Sequence, residues 1–208
     1  MLDNLPRLRL FSSLTNVPNL IDADVNNNIL SQVDFNYYSV KDFQNDESIR
    51  QICSENTSFS VIHSNVRSLA TNHDKLTTML SSLGHNFHVI GLTETTIMAG
   101  KDPVVNTDIP GYKFISQPSF HHAGGAGFYV RNNCDYHIRD DLNSTTDDYE
   151  CLWAEVHTKC HRNIVCSVIY RHPNSNFANF SNYMTTSMDK ISNEKKMPSQ
   201  WVISISTC

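Results

Sequence analysis

The apolar positions of the chain change period several times, and each change marks an element. Phe59, Val61 and His63 alternate with Ser60, Ile62 and Ser64 in a short run of β-forming residues, which predicts a buried strand. Leu76, Met79, Leu80 and Leu83 then fall at helical spacing on one face. Polar Asn72 and Asp74 stand near the start of that helix and Gly84 is placed to end it. Phe87 to Leu92 is again a continuous apolar run, closed by Thr93-Glu94-Thr95, so the order is strand, helix, strand. Five more short strands follow, at 112–116, 126–131, 136–139, 152–157 and 164–171, separated by Gly, Pro, Asn or Asp turns. Such crowding predicts an antiparallel part of a sheet. After Pro173, the residues Phe177, Phe180, Met184, Met188 and Ile191 recur every three or four positions as an amphipathic helix, and WVISIS reads as a buried last strand.

The first 57 residues have a different texture, with few sustained apolar periods and many Asn and Asp, which predicts short local structure and mobility. They hold four basic against eight acidic side chains, whereas 58–208 hold 12 against 13, so most of the net charge of −5 belongs to this leader. Hydrophobic residues are 39% and charged residues only 18% of the chain, so Asn, Ser and Thr fill the balance and a charge-driven disordered composition is excluded. The length of 208 residues allows one domain with flanking segments: a leader at 1–57, a domain at 58–196 and a tail at 197–208. No apolar run approaches the roughly 20 residues that cross a bilayer. MLDNLPRLRLF lacks a continuous apolar core and a small-residue cleavage site, so we expect an intracellular protein of cytoplasm or nucleus with no membrane partner.

Six cysteines are scattered without a C-x-x-C pair, and reduced thiols are the default. A zinc site among Cys151, Cys160, Cys166, His157 and His161 is disfavoured, because zinc modules supply close ligand pairs and these residues fall in strand-like stretches. The stronger candidates are Asn65 and Glu94, each just past the end of a strand that this topology places beside the other. A carboxylate with an amide oxygen suits Mg²⁺, which takes few protein ligands and keeps waters for a phosphate to displace. The competing role for polar residues after strands is ordinary loop and cap chemistry.

Five blocks in order, FSVIHSNVRSLATNHDKLTTMLSSL, FHVIGLTET, GGAGFYV, DDYECLWAEV and IYRHPNSNFANF, resemble the endonuclease/exonuclease/phosphatase superfamily. The likeness is to the amino-terminal endonuclease of LINE-type (non-LTR) retrotransposon polyproteins, runs from about Phe59 to about Ile191, and marks the domain as carboxy-terminally truncated. It implies an α+β fold, an incomplete four-layer α/β/β/α sandwich. It also implies Mg²⁺-dependent nicking of DNA for target-primed reverse transcription, with Mn²⁺ as the alternative metal, DNA as partner and no small-molecule cofactor.

The resemblance assigns Asn65 and Glu94 to the metal and the reacting phosphate. Tyr170 is placed near the scissile phosphate, and Arg171, Asn174, Gly124 and Gly125 on the substrate. His172 stands where the family's block has its first Pro, a change expected to alter turn geometry. Glu150 and Trp153 fall in a block expected to serve packing. For the glycines, an ordinary hairpin turn competes with a DNA contact.

Two blocks of the family do not occur in these residues: Gly-Asp-x-Asn, which orients the attacking water, and Ser-Asp-His. Where the first is expected the chain reads MPSQWVISISTC. Reading from the third base of the Trp201 codon forces a Gly codon, and permitted third bases in the next codons spell Gly-Asp-Phe-Asn-Ile-Asp-Leu. The tail is therefore expected to be a frameshifted copy of the missing block, a point the gene's nucleotides decide. A chain so altered is expected to be inactive and aggregation-prone. Two other functions compete. One is a non-catalytic remnant with weak nucleic-acid or protein binding, favoured by the lack of a basic surplus in 58–208. The other is a phospholipid- or inositol-phosphate-cleaving branch of the superfamily, disfavoured by the N-V-R-S-L and Y-R-x-P-N-S blocks.

Overall fold

The structure is a computed structural model that describes residues 44, 45, 47, 59–100, 106–157 and 163–194, and the backbone alone of 8–9, 37–38 and 200–207. Most of the leader, the side chains of the tail, and Cys160 and His161 lie outside the described residues. Two short strands, β1 (Leu8–Arg9) and β2 (Tyr37–Tyr38), pair antiparallel. The domain proper begins with β3 (Val61–Asn65), α1 (Leu69–Leu83) and β4 (Val89–Thr93), the predicted strand-helix-strand unit. It continues through β5 (Tyr112–Gln117), β6 (Ala126–Arg131), β7 (Asp135–Ile138), β8 (Ser144–Thr145), β9 (Tyr149–His157) and β10 (Ile164–Arg171). It closes with α2 (Phe177–Asn193) and β11 (Gln200–Thr207).

The strands divide between two sheets. The first has the order β3-β4-β6-β5, with β3 and β4 parallel and the rest antiparallel. The second has the order β11-β10-β9-β7, with β8 also on β9 and β11 parallel to β10. The run predicted as one antiparallel part thus crosses from one sheet to the other between β6 and β7.

Alternate residues of each strand face opposite sides, which fixes the layers. From β3 and β4, Val61 and Val89 point inward with Phe128 and Val130 of β6. They meet Leu152, Ala154 and Val156 of β9 and Ile164, Cys166 and Val168 of β10 between the sheets. Ile62, Ile90, Leu92 and Tyr129 point outward and are covered by Leu69, Leu76, Met79 and Leu83 of α1. Cys151, Trp153, Val165 and Ile169 are covered by Phe180, Met184 and Ile191 of α2. The result is the α+β sandwich expected from the resemblance, helix on sheet on sheet on helix. Both faces of the central strands are buried, so each large aliphatic or aromatic side chain there contributes about 1.5–3 kcal/mol.

The helix ends show what the sequence pattern caught and missed. Gly84 closes α1 in the left-handed conformation, φ 63°, as predicted. The helix begins at Leu69, earlier than Asn72 and Asp74 suggested, because Ser68 at φ 83° turns the chain directly into it. Asn72 serves the preceding loop instead, donating to the carbonyls of Val66 and Arg67 at 3.0 and 2.8 Å. At α2, Asn176 caps the start by accepting from the N–H of Ala178 at 2.9 Å. Near its other end the buried Arg139 forks onto Asp141 at 2.8 and 2.9 Å and onto Glu194. That contact ties the helix end to the second sheet and holds the Asp141 carboxyl well below the usual range. Among the described residues no helix is long and apolar enough to cross a membrane.

Candidate functional site at the strand tips

The parallel register of β3 and β4 pairs Asn65 with Thr93, so Asn65 and Glu94 leave the sheet side by side. Asn65 Nδ2 donates to Glu94 Oε1 at 2.6 Å, and Asn65 Oδ1 accepts from the N–H of Arg67 at 3.2 Å. Both side chains are half-buried. The backbone around them is stitched across the strand ends: the N–H groups of Val66, Ser68 and Leu69 donate to the carbonyls of Thr93, Glu94 and Thr95 at 3.0, 2.8 and 3.0 Å. Arg67, Ser68, Glu94 and Thr96 all sit at positive φ, 45°, 83°, 55° and 55°. Such backbone costs about 1–3 kcal/mol per residue and persists where the surroundings over-determine it.

The loop entering β6 braces this tip from the other side. Thr95 N–H donates to Gly125 O at 3.2 Å and Thr96 N–H to Gly124 O at 2.9 Å. Gly124 and Gly125 have φ of 141° and 91°, open to glycine alone at low cost. A Cβ on Gly124 would sit 2.9 Å from both carboxylate oxygens of Glu150, and one on Gly125 would collide with Thr95 Oγ1. The two glycines are buried between Thr95 and Glu150, and their surroundings leave no room for a side chain.

Glu150 is the residue that sequence reasoning left out of the chemistry. It is 0% exposed, and its carboxylate accepts from Ser119 Oγ and from the N–H of Gly125. His172 Nε2 lies 3.4 Å from Glu150 Oε1. Glu150 therefore joins the first sheet's glycine loop to the second sheet's end at β10. The signal that could have found it is a carboxylate inside an otherwise apolar strand, since an ionised group is buried only where donors meet it.

At the end of β10, Tyr170 is 1% exposed with its ring 5.0 Å from that of His172. Arg171 is half-buried and donates to Ser175 Oγ at 3.1 Å, and Asn174 stands exposed at φ 59°. This turn is held by Asp148, whose side chain accepts from Asn176 N–H at 2.7 Å and from Asn179 Nδ2 at 2.8 Å. Those bonds, from Asn179 first and then Asn176, lower its pKa. His172 does more than shape the turn, since its ring also meets that of His121 at 4.7 Å. All seven residues expected at the site thus leave the sandwich at one end. Asn65 is hydrogen-bonded to Glu94, Gly124 and Gly125 to the Thr96 and Thr95 that follow it, and Tyr170, Arg171 and Asn174 belong to the end of β10 and its turn on the opposite sheet.

A cation at Glu94 would find a set of few, hard oxygen donors, which fits magnesium. Oε1 is engaged by Asn65, and Asn65 presents its amide nitrogen to Glu94, so direct ligation by its oxygen needs a half-turn of the amide. Among the described residues no three His, Cys, Asp or Glu side chains are grouped to hold a metal ion. Burial pushes the thiols of Cys151 and Cys166 upward, away from the thiolate form.

No family model matches the chain, and no curated protein is significantly similar to it. Solved structures are. Two of its neighbours are endonucleases by name. The endonuclease domain of TRAS1, a telomere-specific non-LTR retrotransposon, shares 13% identity over 70% of this chain and 58% of that one, with a TM-score of 0.47. The AP endonuclease LMAP from Leishmania major shares 13% over 70% and 54%, with a TM-score of 0.46. A humanized D. rerio TDP2 shares 16% over 71% and 60%, with a TM-score of 0.42. The chain spans between 54% and 60% of these solved chains.

Proposed function

We propose that the chain carries the metal-holding part of a nucleic-acid phosphodiesterase site and descends from a Mg²⁺-dependent DNA-nicking endonuclease of the non-LTR retrotransposon type. The observation that carries this reading is the 2.6 Å bond from Asn65 to Glu94 at adjacent strand tips, in a backbone that adopts costly conformations to make it. Asn65 orients the Glu94 carboxylate, the group at this tip that would hold a hard cation, Mg²⁺ or Mn²⁺. When bound, that ion supplies a Lewis acid for a phosphoryl oxygen. Arg171 offers its guanidinium to a phosphate while Ser175 steadies it, and Asn174 adds an exposed amide beside it. Gly124 and Gly125 serve the substrate indirectly, by bracing the Thr95–Thr96 backbone beside Glu94, and Tyr170 supports the phosphate position from inside the wall.

We further propose that these 208 residues bind the metal without turning DNA over. Neither the Gly-Asp-x-Asn nor the Ser-Asp-His block is among them. Positioned acid–base groups contribute factors of about 10² to 10⁴ each, so their loss outweighs what metal binding alone supplies. The alternative, a remnant with weak nucleic-acid or protein binding and no retained metal site, is favoured by the balance of 12 basic and 13 acidic side chains in 58–208. The test is nicking of supercoiled plasmid with Mg²⁺ beside Glu94→Ala. We expect no nicking by either protein. Nicking that disappears with Glu94→Ala overturns the inactivity and keeps the metal site.

A further inference from the structure

Among the described residues only two large apolar side chains are exposed, Phe120 at 69% and Phe177 at 42%, and both stand at the end of the sandwich that bears Asn65 and Glu94. Phe177 opens α2 just past the Arg171–Asn176 turn. Phe120 belongs to the loop from β5 to β6, and that loop is pinned beneath it. Ser119, fully buried, donates its N–H to Ile97 O at 2.8 Å and accepts from Ala99 N–H at 2.9 Å. Its hydroxyl donates to Glu150 and accepts from His121 N–H at 2.9 Å. Ser119 and Gly125 grip opposite oxygens of one carboxylate, and Gly125 is bonded to Thr95, the neighbour of Glu94. A short chain of fixed contacts therefore sets Phe120 relative to the Glu94 tip. Two histidines follow it: His121, half-buried against His172, and His122, exposed.

An aromatic ring held out in water on an immobile base has given up burial worth about 1.5–3 kcal/mol, and it keeps its face free at no further ordering cost. A flat π-surface of this kind takes a nucleobase, whatever its identity, because every base has a π-face. We propose that Phe120 is a stacking post for an unpaired base of the nucleic-acid strand whose phosphate lies at the Asn65–Glu94 tip, with Arg171 across the site for the backbone. The proposal rests on the nucleic-acid reading of this end, and its test is run without metal so that the two fail separately.

Fluorescence anisotropy with a short labelled single-stranded oligonucleotide, in EDTA at low salt, should show Phe120→Ala binding about 5- to 150-fold more weakly than the unaltered chain. Phe120→Trp should retain affinity, and the oligonucleotide should quench the added indole fluorescence as the base stacks. An oligonucleotide of abasic sites should lose the difference between Phe120 and Ala. Equal single-strand affinities for Phe120 and Ala, or indole emission unchanged at saturation, overturn the proposal. So does a preference of the unaltered chain for the matching duplex that is insensitive to Phe120. No oligonucleotide binding at all also overturns it, and then exposure of Phe120 points to a protein partner. Mn²⁺ binding that depends on Glu94 is measured separately and is untouched by any of these results.

Discussion

Glu94 and Glu150 stand at the same end of the sandwich, one on each sheet, and they are held in opposite ways. Glu94 is half-buried, sits at φ 55° and has Asn65 Nδ2 on Oε1. Glu150 lies in regular β-strand, is wholly buried and accepts from Ser119 and Gly125. The tip of the first sheet thus carries strained backbone and a half-buried carboxylate, while the tip of the second holds a wholly buried carboxylate that fastens the two sheets. The difference is one of cost: the positive-φ backbone at Glu94 costs stability, and the donors met by Glu150 supply it.

The sharpest break of that comparison is truncation of each carboxylate. Glu150→Ala leaves the donors of Ser119 and Gly125 buried without an acceptor and should lower unfolding free energy by about 3 kcal/mol. Glu94→Ala removes one half-buried hydrogen bond, from Asn65, and should cost less, about 1 kcal/mol. Urea unfolding of both variants measures the contrast. Equal losses would mean that the two residues do the same work.

Gly125→Ala comes next. Its Cβ meets Thr95 at a φ of 91°, and the expected cost is about 2 kcal/mol, together with weakened Mn²⁺ binding because Thr95 carries Glu94. A loss of stability with Mn²⁺ affinity intact would uncouple the glycine loop from the tip. Asn176→Ala removes the side-chain cap of α2 and should cost about 1 kcal/mol, leaving the first sheet's tip unchanged.

The smallest effect is one of pH, and it belongs to the second sheet. The carboxyls of Asp148 and Asp141 are held below their ordinary pKa, the first by Asn179 and Asn176, the second chiefly by Arg139. A depressed folded-state pKa stabilises above the unfolded value of about 3.9, and the contribution is lost as pH falls below it. Acid should therefore loosen the 171–179 turn and the end of α2 first. Amide exchange at about pH 2.5 against pH 5, corrected for the intrinsic rates, reads this, and earlier opening at the Asn65 tip would contradict it.

The sequence made the layers legible because both faces of the central strands are apolar, as in VIHSN, VIGLT and YECLWAEV. The partition of strands between sheets was not legible, since β6 and β7 are separated by only a tight turn and period alone carries no sheet identity. Asn65 and Glu94 stood out as polar residues that end apolar runs. Glu150 did not, because inside a strand it shares the position of a packing residue and only its three-dimensional donors reveal it. The same holds for His172, whose ring contact to His121 comes from a residue far away in the chain.

The central claim is that Glu94, oriented by Asn65, is a cation ligand. Titration with Mn²⁺, following the free ion by electron paramagnetic resonance, tests it most directly. The account predicts one site per chain that disappears in Glu94→Ala and weakens in Asn65→Ala while both variants stay folded. Mn²⁺ binding of the same strength and stoichiometry in folded Glu94→Ala would contradict it.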